Sequence, residues 1–226
     1  MAVPVITIDG PSGAGKGTIC QLVAERLGYN LLDSGALYRL TALSAEWKSV
    51  AFNDASALSG VAAGLDVRFE VRSGQLATLL EGVDVSKEIR QEHVGMNASL
   101  VAACQPVRDA LLEFQRKFAA LPGLVADGRD MGTTVFPAAP VKVFLTAGSE
   151  ERARRRVLQL EQAGAVADYD AILADIVERD ERDRARSSSP LRPADDALQL
   201  DSTELNIEQV LARVLELVER SGLQRT

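Results

Sequence analysis

The chain has 226 residues, 46% hydrophobic and 25% charged, near the averages of soluble globular domains and long enough for a core without staples. A formal net charge of −7 argues against general nucleic-acid binding, which calls for a basic face. Two cysteines outside any C-x-x-C pair and a single histidine, His93, count against a disulfide framework, a zinc site and histidine-based catalysis.

The amino-terminal run Val5–Ile8 is short, apolar and β-rich, and reads as a strand buried on both faces. No basic leader or long apolar segment accompanies it, so a cytoplasmic chain without membrane spans is expected. After a glycine-rich loop, Ile19, Leu22, Val23 and Leu27 recur at helical spacing up to Gly28. Asn30–Leu32 reads as a second strand and 36–48 as a second helix, with Asp33 or Ser34 able to cap it. Three short strands follow at 67–71, 75–80 and 83–85, with turns at Ser73-Gly74 and Glu81-Gly82, and suggest a small antiparallel insert. Helical periodicity spans 94–118. Strands are expected at 124–126 and 141–145, charged helices at 149–162 and 169–186, a last strand at 197–200 and a last helix at 207–219. Alternating strands and helices imply an α/β class with a parallel sheet covered on both faces.

The sharpest motif is Gly10-Pro11-Ser12-Gly13-Ala14-Gly15-Lys16-Gly17-Thr18, a variant of the phosphate-binding loop G-x-x-x-x-G-K-[ST] in which Gly17 takes the hydroxyl place and Thr18 follows. Backbone N–H groups encircle a phosphate only where side chains stay clear, and the following helix adds its positive end. Lys16 supplies charge to the outer phosphates and Thr18 a hydroxyl near a metal. N-K-x-D and D-x-x-G motifs are missing, which disfavours a GTPase.

Asp127-Gly128-Arg129-Asp130-Met131-Gly132 puts polar groups directly after a strand, where open α/β sheets bind ligands, and Asp33-Ser34-Gly35-Ala36-Leu37-Tyr38-Arg39 reads as a helix start that leaves Arg39 one to two turns in. Nine arginines lie between Arg152 and Arg192, a local concentration suited to anions. Arg179, Arg182 and Arg186 share one helical face, while Arg154 and Arg155 read as surface residues. Cys20 and Cys104 read as packed thiols, His93 as exposed, and Trp47 as a core or hinge residue.

Together with Glu178-Arg179-Asp180-Glu181-Arg182-Asp183-Arg184, these motifs resemble bacterial cytidylate kinases, in the same order and from Val5 to about Val210. The resemblance implies a P-loop three-layer fold with a parallel sheet flanked by helices, a small antiparallel three-stranded insert and a helical lid. It implies one kinase domain over 1–226, with a monophosphate-binding insert at 62–100 and a lid at 148–168. The implied reaction is ATP plus CMP or dCMP giving ADP plus the diphosphate, with Mg2+ held by Thr18 and Asp127, the latter through water. Lys16, Arg129, Arg179, Arg182 and Arg186 would be catalytic. Arg152 and Arg156, one turn apart, would close over the ATP phosphates. The acceptor would meet Asp33, Ser34, Arg39, Arg129, Arg179, Asp183 and Arg186, with Ser99, Arg108 and Asp130 reading cytosine. A monomer is expected. The rivals are a P-loop kinase for UMP, dTMP or a metabolite, and a nucleotide-dependent switch.

Overall fold

A computed structural model describes residues 3–72, 75–162 and 164–223. The chain divides into two compact units, one comprising 1–33 with 115–226 and the other Ser34–Phe114.

The first unit holds a five-stranded, all-parallel sheet in the order β2-β6-β1-β7-β8. Its strands are β1 (Val5–Asp9), β2 (Asn30–Asp33), β6 (Leu124–Gly128), β7 (Val141–Thr146) and β8 (Leu198–Asp201). The helices of this unit are α1 (Lys16–Leu27), α6 (Ser149–Gln162), α7 (Tyr169–Ala185) and α8 (Ile207–Arg220). β1 lies at the centre with all five residues buried, as the unbroken apolar run predicts for a strand covered on both faces. Ile6, Ile8, Val125, Val143 and Leu145 of the sheet pack with Ile19, Val23 and Leu27 of α1 and Val210, Val214 and Val218 of α8. The last three, four residues apart, form the apolar stripe that seats α8. Its start is fixed by a capping box between Asn206 and Gln209.

The second unit contains α2 (Ser34–Trp47), α3 (Ala55–Ala63), α4 (Glu92–Val101), most of α5 (Gln105–Arg116) and an antiparallel sheet. The sheet is formed by β3 (Val67–Arg72), β4 (Gln75–Leu80) and β5 (Val83–Asp84). Its core includes Leu37, Leu40, Leu43, Leu58, Val94 and Leu111. The segment expected as an insert, 62–100, lies within this unit, and the Ser73-Gly74 turn falls outside the described residues.

Several expectations are revised. α3 was not foreseen; it starts where the Asp54 side chain accepts from the Ala57 amide, a cap that compensates for a small-residue sequence of weak periodicity. The single helix expected over 94–118 breaks at Ala102–Cys104 into α4 and α5. The polar turn after β6 is a short π-helical turn, Met131–Val135, a form that recurs at functional sites. Trp47 is 40% exposed rather than packed.

Candidate functional site

In parallel sheets, ligands sit beyond the carboxyl ends of the strands. Here that edge carries Asp9, Asp33 and Asp127, with Asp33 paired in register to Asp127 and Asp9 to Gly128. The loop from Gly10 to Gly15 leaves the central strand and runs into α1. Gly13 and Gly15 adopt φ of 78° and 89°, a left-handed conformation that explains why these positions are glycine.

Lys16 sits at the start of α1 with its side chain buried. Its Nζ donates to the Pro11 carbonyl at 2.8 Å and lies 3.8 Å from the Asp127 carboxylate. Burial lowers the pKa of Lys16, and Asp127 opposes that shift while Arg129 and Arg179 add to it. Asp127 is pushed up to about 6, chiefly by burial, with Asp33 adding repulsion against the attraction of Lys16. A Cβ at position 17 would lie 3.6 Å from Asp127 Oδ2, so the glycine there leaves the carboxylate uncovered. Thr18 is exposed on the next residue.

Arg129, just past β6, donates through Nε to Asp183 of α7, and Arg186 donates to the other carboxylate oxygen. Asp183 is fully buried. Burial alone would raise its pKa, but Arg129, Arg186 and Arg179 outweigh it and hold the carboxyl below its ordinary range. Arg129 is itself held above its usual value, because Asp183 overcomes the cost of burial. Arg179 is buried on the same helix. Arg182 pairs with Glu178, and its Nη1 is a buried donor without a hydrogen-bond partner among the described residues. A buried donor left in that state costs about 1–3 kcal/mol, the situation expected where an anion completes the site. The predicted residues Lys16, Asp127, Arg129, Arg179, Arg182, Asp183 and Arg186 thus all belong to the first unit.

Arg152 is placed differently from a residue free to close over a phosphate. It is 3% exposed and forms a two-pronged pair with Asp180, at 3.0 and 2.6 Å. Its Nη1 also donates to the Ser12 carbonyl at 3.0 Å and its Nε to the Ala147 carbonyl at 2.9 Å. Arg156, one turn on, is half-buried and donates to Gln159. Arg155, expected at the surface, donates to the Ser202 carbonyl at 2.7 Å, whereas Arg154 is exposed as expected.

Asp9 was not singled out by its sequence position. Both of its oxygens accept backbone amides, from Met131 and Gly132, each at 2.8 Å. Burial raises its pKa to about 7 against those two hydrogen bonds. It fixes the start of the π-helical turn, whose preceding residue is the buried Asp130. An acid closing an otherwise apolar buried strand was the available signal.

Within the second unit, Asp33 having closed β2, Ser34 opens α2 directly and is buried. Arg39 donates to the carbonyls of Ile89 and Gln91, at 2.7 and 3.4 Å. It runs so close to α4 that a Cβ at Gly95 would lie 2.9 Å from Nη2. Arg108 is buried, donates to the Ala102 carbonyl at 3.2 Å and stacks 5.6 Å from the centre of the Tyr38 ring. Ser99 is buried on α4. This unit supplies Arg39, Ser99 and Arg108 as polar groups on rigid elements.

A family model described as cytidylate kinase matches residues 6–220. A cytidylate kinase of Aliivibrio salmonicida is 57% identical over 216 residues, 96% of each chain. One from Photobacterium profundum is 55% identical over 223 residues, covering 99% of this chain and 98% of the relative. A crystal structure of an uncharacterized protein from Eubacterium ventriosum aligns over 96% of this chain and 98% of its own, at 12% identity and a TM-score of 0.52. That last likeness speaks to the fold alone.

Proposed function

The chain belongs to the cytidylate kinase family, and from that membership we propose that it transfers the γ-phosphoryl group of ATP to CMP or dCMP. The observation that supports the reading is the glycine-rich loop after β1, which leads into the buried Lys16 with its Nζ 3.8 Å from the Asp127 carboxylate at the end of β6.

An oxygen of the acceptor phosphate attacks the γ-phosphorus, a new P–O bond forms, and the bond to the β–γ bridging oxygen breaks to release ADP. The attacking oxygen is already anionic, so no general base is needed, and alignment and charge stabilisation do the catalysis. The loop amides and Lys16 hold the donor phosphates. Arg129, Arg179, Arg182 and Arg186 neutralise the charge shared between donor, transferring group and acceptor. Asp183 keeps three of those arginines from repelling one another.

Magnesium fits the donor set. The described residues contain no cluster of three or more acidic, histidine or cysteine side chains, but Mg2+ is held by one or two protein oxygens together with substrate phosphates and water. Thr18 and Asp127 offer those oxygens, the carboxylate through water, and the ion would add positive charge at the phosphates.

Cytosine recognition is assigned to Ser99, Arg108 and Asp130. A carboxylate accepts from the amino group of cytosine and faces an unmatched acceptor in uracil. In this reading the Ser34–Phe114 unit, with 62–100 at its heart, carries the monophosphate, Asp33, Ser34 and Arg39 contact it, and 148–168 acts as the lid bearing Arg156. No described helix is long and apolar enough to cross a membrane. The reading further takes the enzyme to be a cytoplasmic monomer.

Phosphorus NMR of a reaction with ATP, Mg2+ and CMP tests the proposal. ADP and CDP in equal amounts are expected. Free phosphate without CDP would reject phosphoryl transfer in favour of a nucleotide-hydrolysing switch.

A further inference from the structure

A trans peptide carries its C=O and N–H on opposite sides. A donor that holds a loop carbonyl from outside therefore turns the next residue's N–H the other way. Two carbonyls of the phosphate loop are held like this: Ser12 receives Arg152 Nη1 at 3.0 Å, and Ala14 receives Ser202 Oγ at 3.3 Å. The amides so oriented are those of Gly13 and Gly15.

The Ser12 carbonyl has the most firmly held partner. Both the Arg152 and Asp180 side chains are almost fully buried, at 3% and 5% exposure, and the fork of the guanidinium matches the carboxylate in two parallel bonds. With Nε on the Ala147 carbonyl, Arg152 is fixed at three points besides the loop. The β-methylene of Arg152 would lie 3.4 Å from a Cβ at Gly13, so the side chain backs directly onto the loop. Ser202 is a lighter support. Its Oγ is shared between Ala14 and Thr146, and its carbonyl is held by Arg155.

We infer that Arg152 and Asp180 are positioning residues for ATP, which act through the Ser12–Gly13 peptide and do not themselves touch the phosphates. Asp180 locks the Arg152 guanidinium against the Ser12 carbonyl, and that presets the Gly13 amide for a phosphate oxygen. The inference deepens the kinase reading and rests on the glycine-rich loop being the ATP site. It also replaces the role expected for Arg152 as a closing lid residue.

The opposite role makes an opposite prediction. Were Arg152 a direct phosphate ligand, Asp180 would compete with ATP for it, and removing the carboxylate would tighten ATP binding. The test is calorimetric titration of a non-hydrolysable ATP analogue with Mg2+ into the wild type, Asp180→Asn, Asp180→Glu and Ser202→Ala. Melting temperatures and the KM for CMP are measured alongside. Asp180→Asn is expected to weaken ATP-analogue binding about tenfold, the loss of one preset amide contact, with KM for CMP changed less than about twofold. Asp180→Glu should recover part of that loss. Ser202→Ala should weaken binding about threefold, less than Asp180→Asn because its hydroxyl is shared, and Asp180→Glu carries the test if Asp180→Asn does not fold. Tighter binding in Asp180→Asn, or unchanged affinity with only a lower melting temperature, overturns the inference. The affinity for the ATP analogue is read without any acceptor, so a wrong acceptor assignment removes only the KM comparison and leaves the binding test intact. A wild type that binds no ATP analogue would overturn both.

Discussion

Arg129 at the end of β6 and Asp183 near the end of α7 form a buried ion pair, the carboxylate fully enclosed and shared with Arg186. Removing one partner of such a pair leaves an uncompensated buried charge, at a cost of about 3–5 kcal/mol. Asp183→Asn is therefore expected to lower unfolding stability by about 3 kcal/mol in a denaturant titration and kcat by about a hundredfold. The carboxyl is held below its ordinary range, so its contribution is present above the unfolded-state pKa and is lost only as pH falls through the depressed folded value. The difference between wild type and variant should hold at neutral pH and shrink in acid.

Lys16 sits in a place that penalises charge, since burial lowers its pKa. Function and stability thus pull apart at this residue. Lys16→Met should cut kcat by about two to three orders of magnitude while leaving the melting temperature of the nucleotide-free protein unchanged or raised. A lowered melting temperature in the nucleotide-free variant would show that the lysine supports the loop fold itself.

Asp9 carries the reverse dependence. Its pKa rises from 3.8 to about 7 on folding, so between those values the folded chain holds a proton that the unfolded chain has released. Stability from this group is present below about pH 4 and is lost as pH climbs towards 7. Asp9→Asn removes the titration. The stability of wild type relative to Asp9→Asn should fall from pH 5 and level off above about pH 7 in thermal unfolding. A flat difference would mean that the amides of Met131 and Gly132 keep Asp9 ionised throughout.

Much of the framework was legible because its signals are local. Apolar runs gave β1, β6 and β7 to within two residues, and the glycine spacing of 10–17 fixed the loop. Arg129, Arg179 and Asp183 were legible through motif resemblance. The unforeseen features depend on partners distant in sequence. Nothing local distinguishes Asp180 from its acidic neighbours; its role comes from Arg152, 28 positions earlier. Arg155 looks like a surface charge until the strand β8 brings Ser202 beside it. The break between α4 and α5 did have a local signal, Pro106, which fits the first turn of a helix and not the interior of a longer one.

The proposed reading gives the choice of base to Asp130, Ser99 and Arg108. Asp130→Asn keeps the shape and replaces an obligatory acceptor with a group that also donates. The ratio of kcat/KM for CMP over UMP should drop by about tenfold or more, mostly through a gain with UMP. An unchanged ratio would remove Asp130 from base reading and leave discrimination to Arg108 and Ser99.

The central claim is most directly tested by ADP release, coupled to NADH oxidation, with ATP and Mg2+ and each of CMP, dCMP, UMP, AMP, GMP and dTMP in turn. Turnover strongly favouring CMP and dCMP is the predicted result. Preferred turnover with another nucleotide would contradict the roles given to Ser99, Arg108 and Asp130, and no acceptor-dependent turnover would contradict phosphoryl transfer altogether.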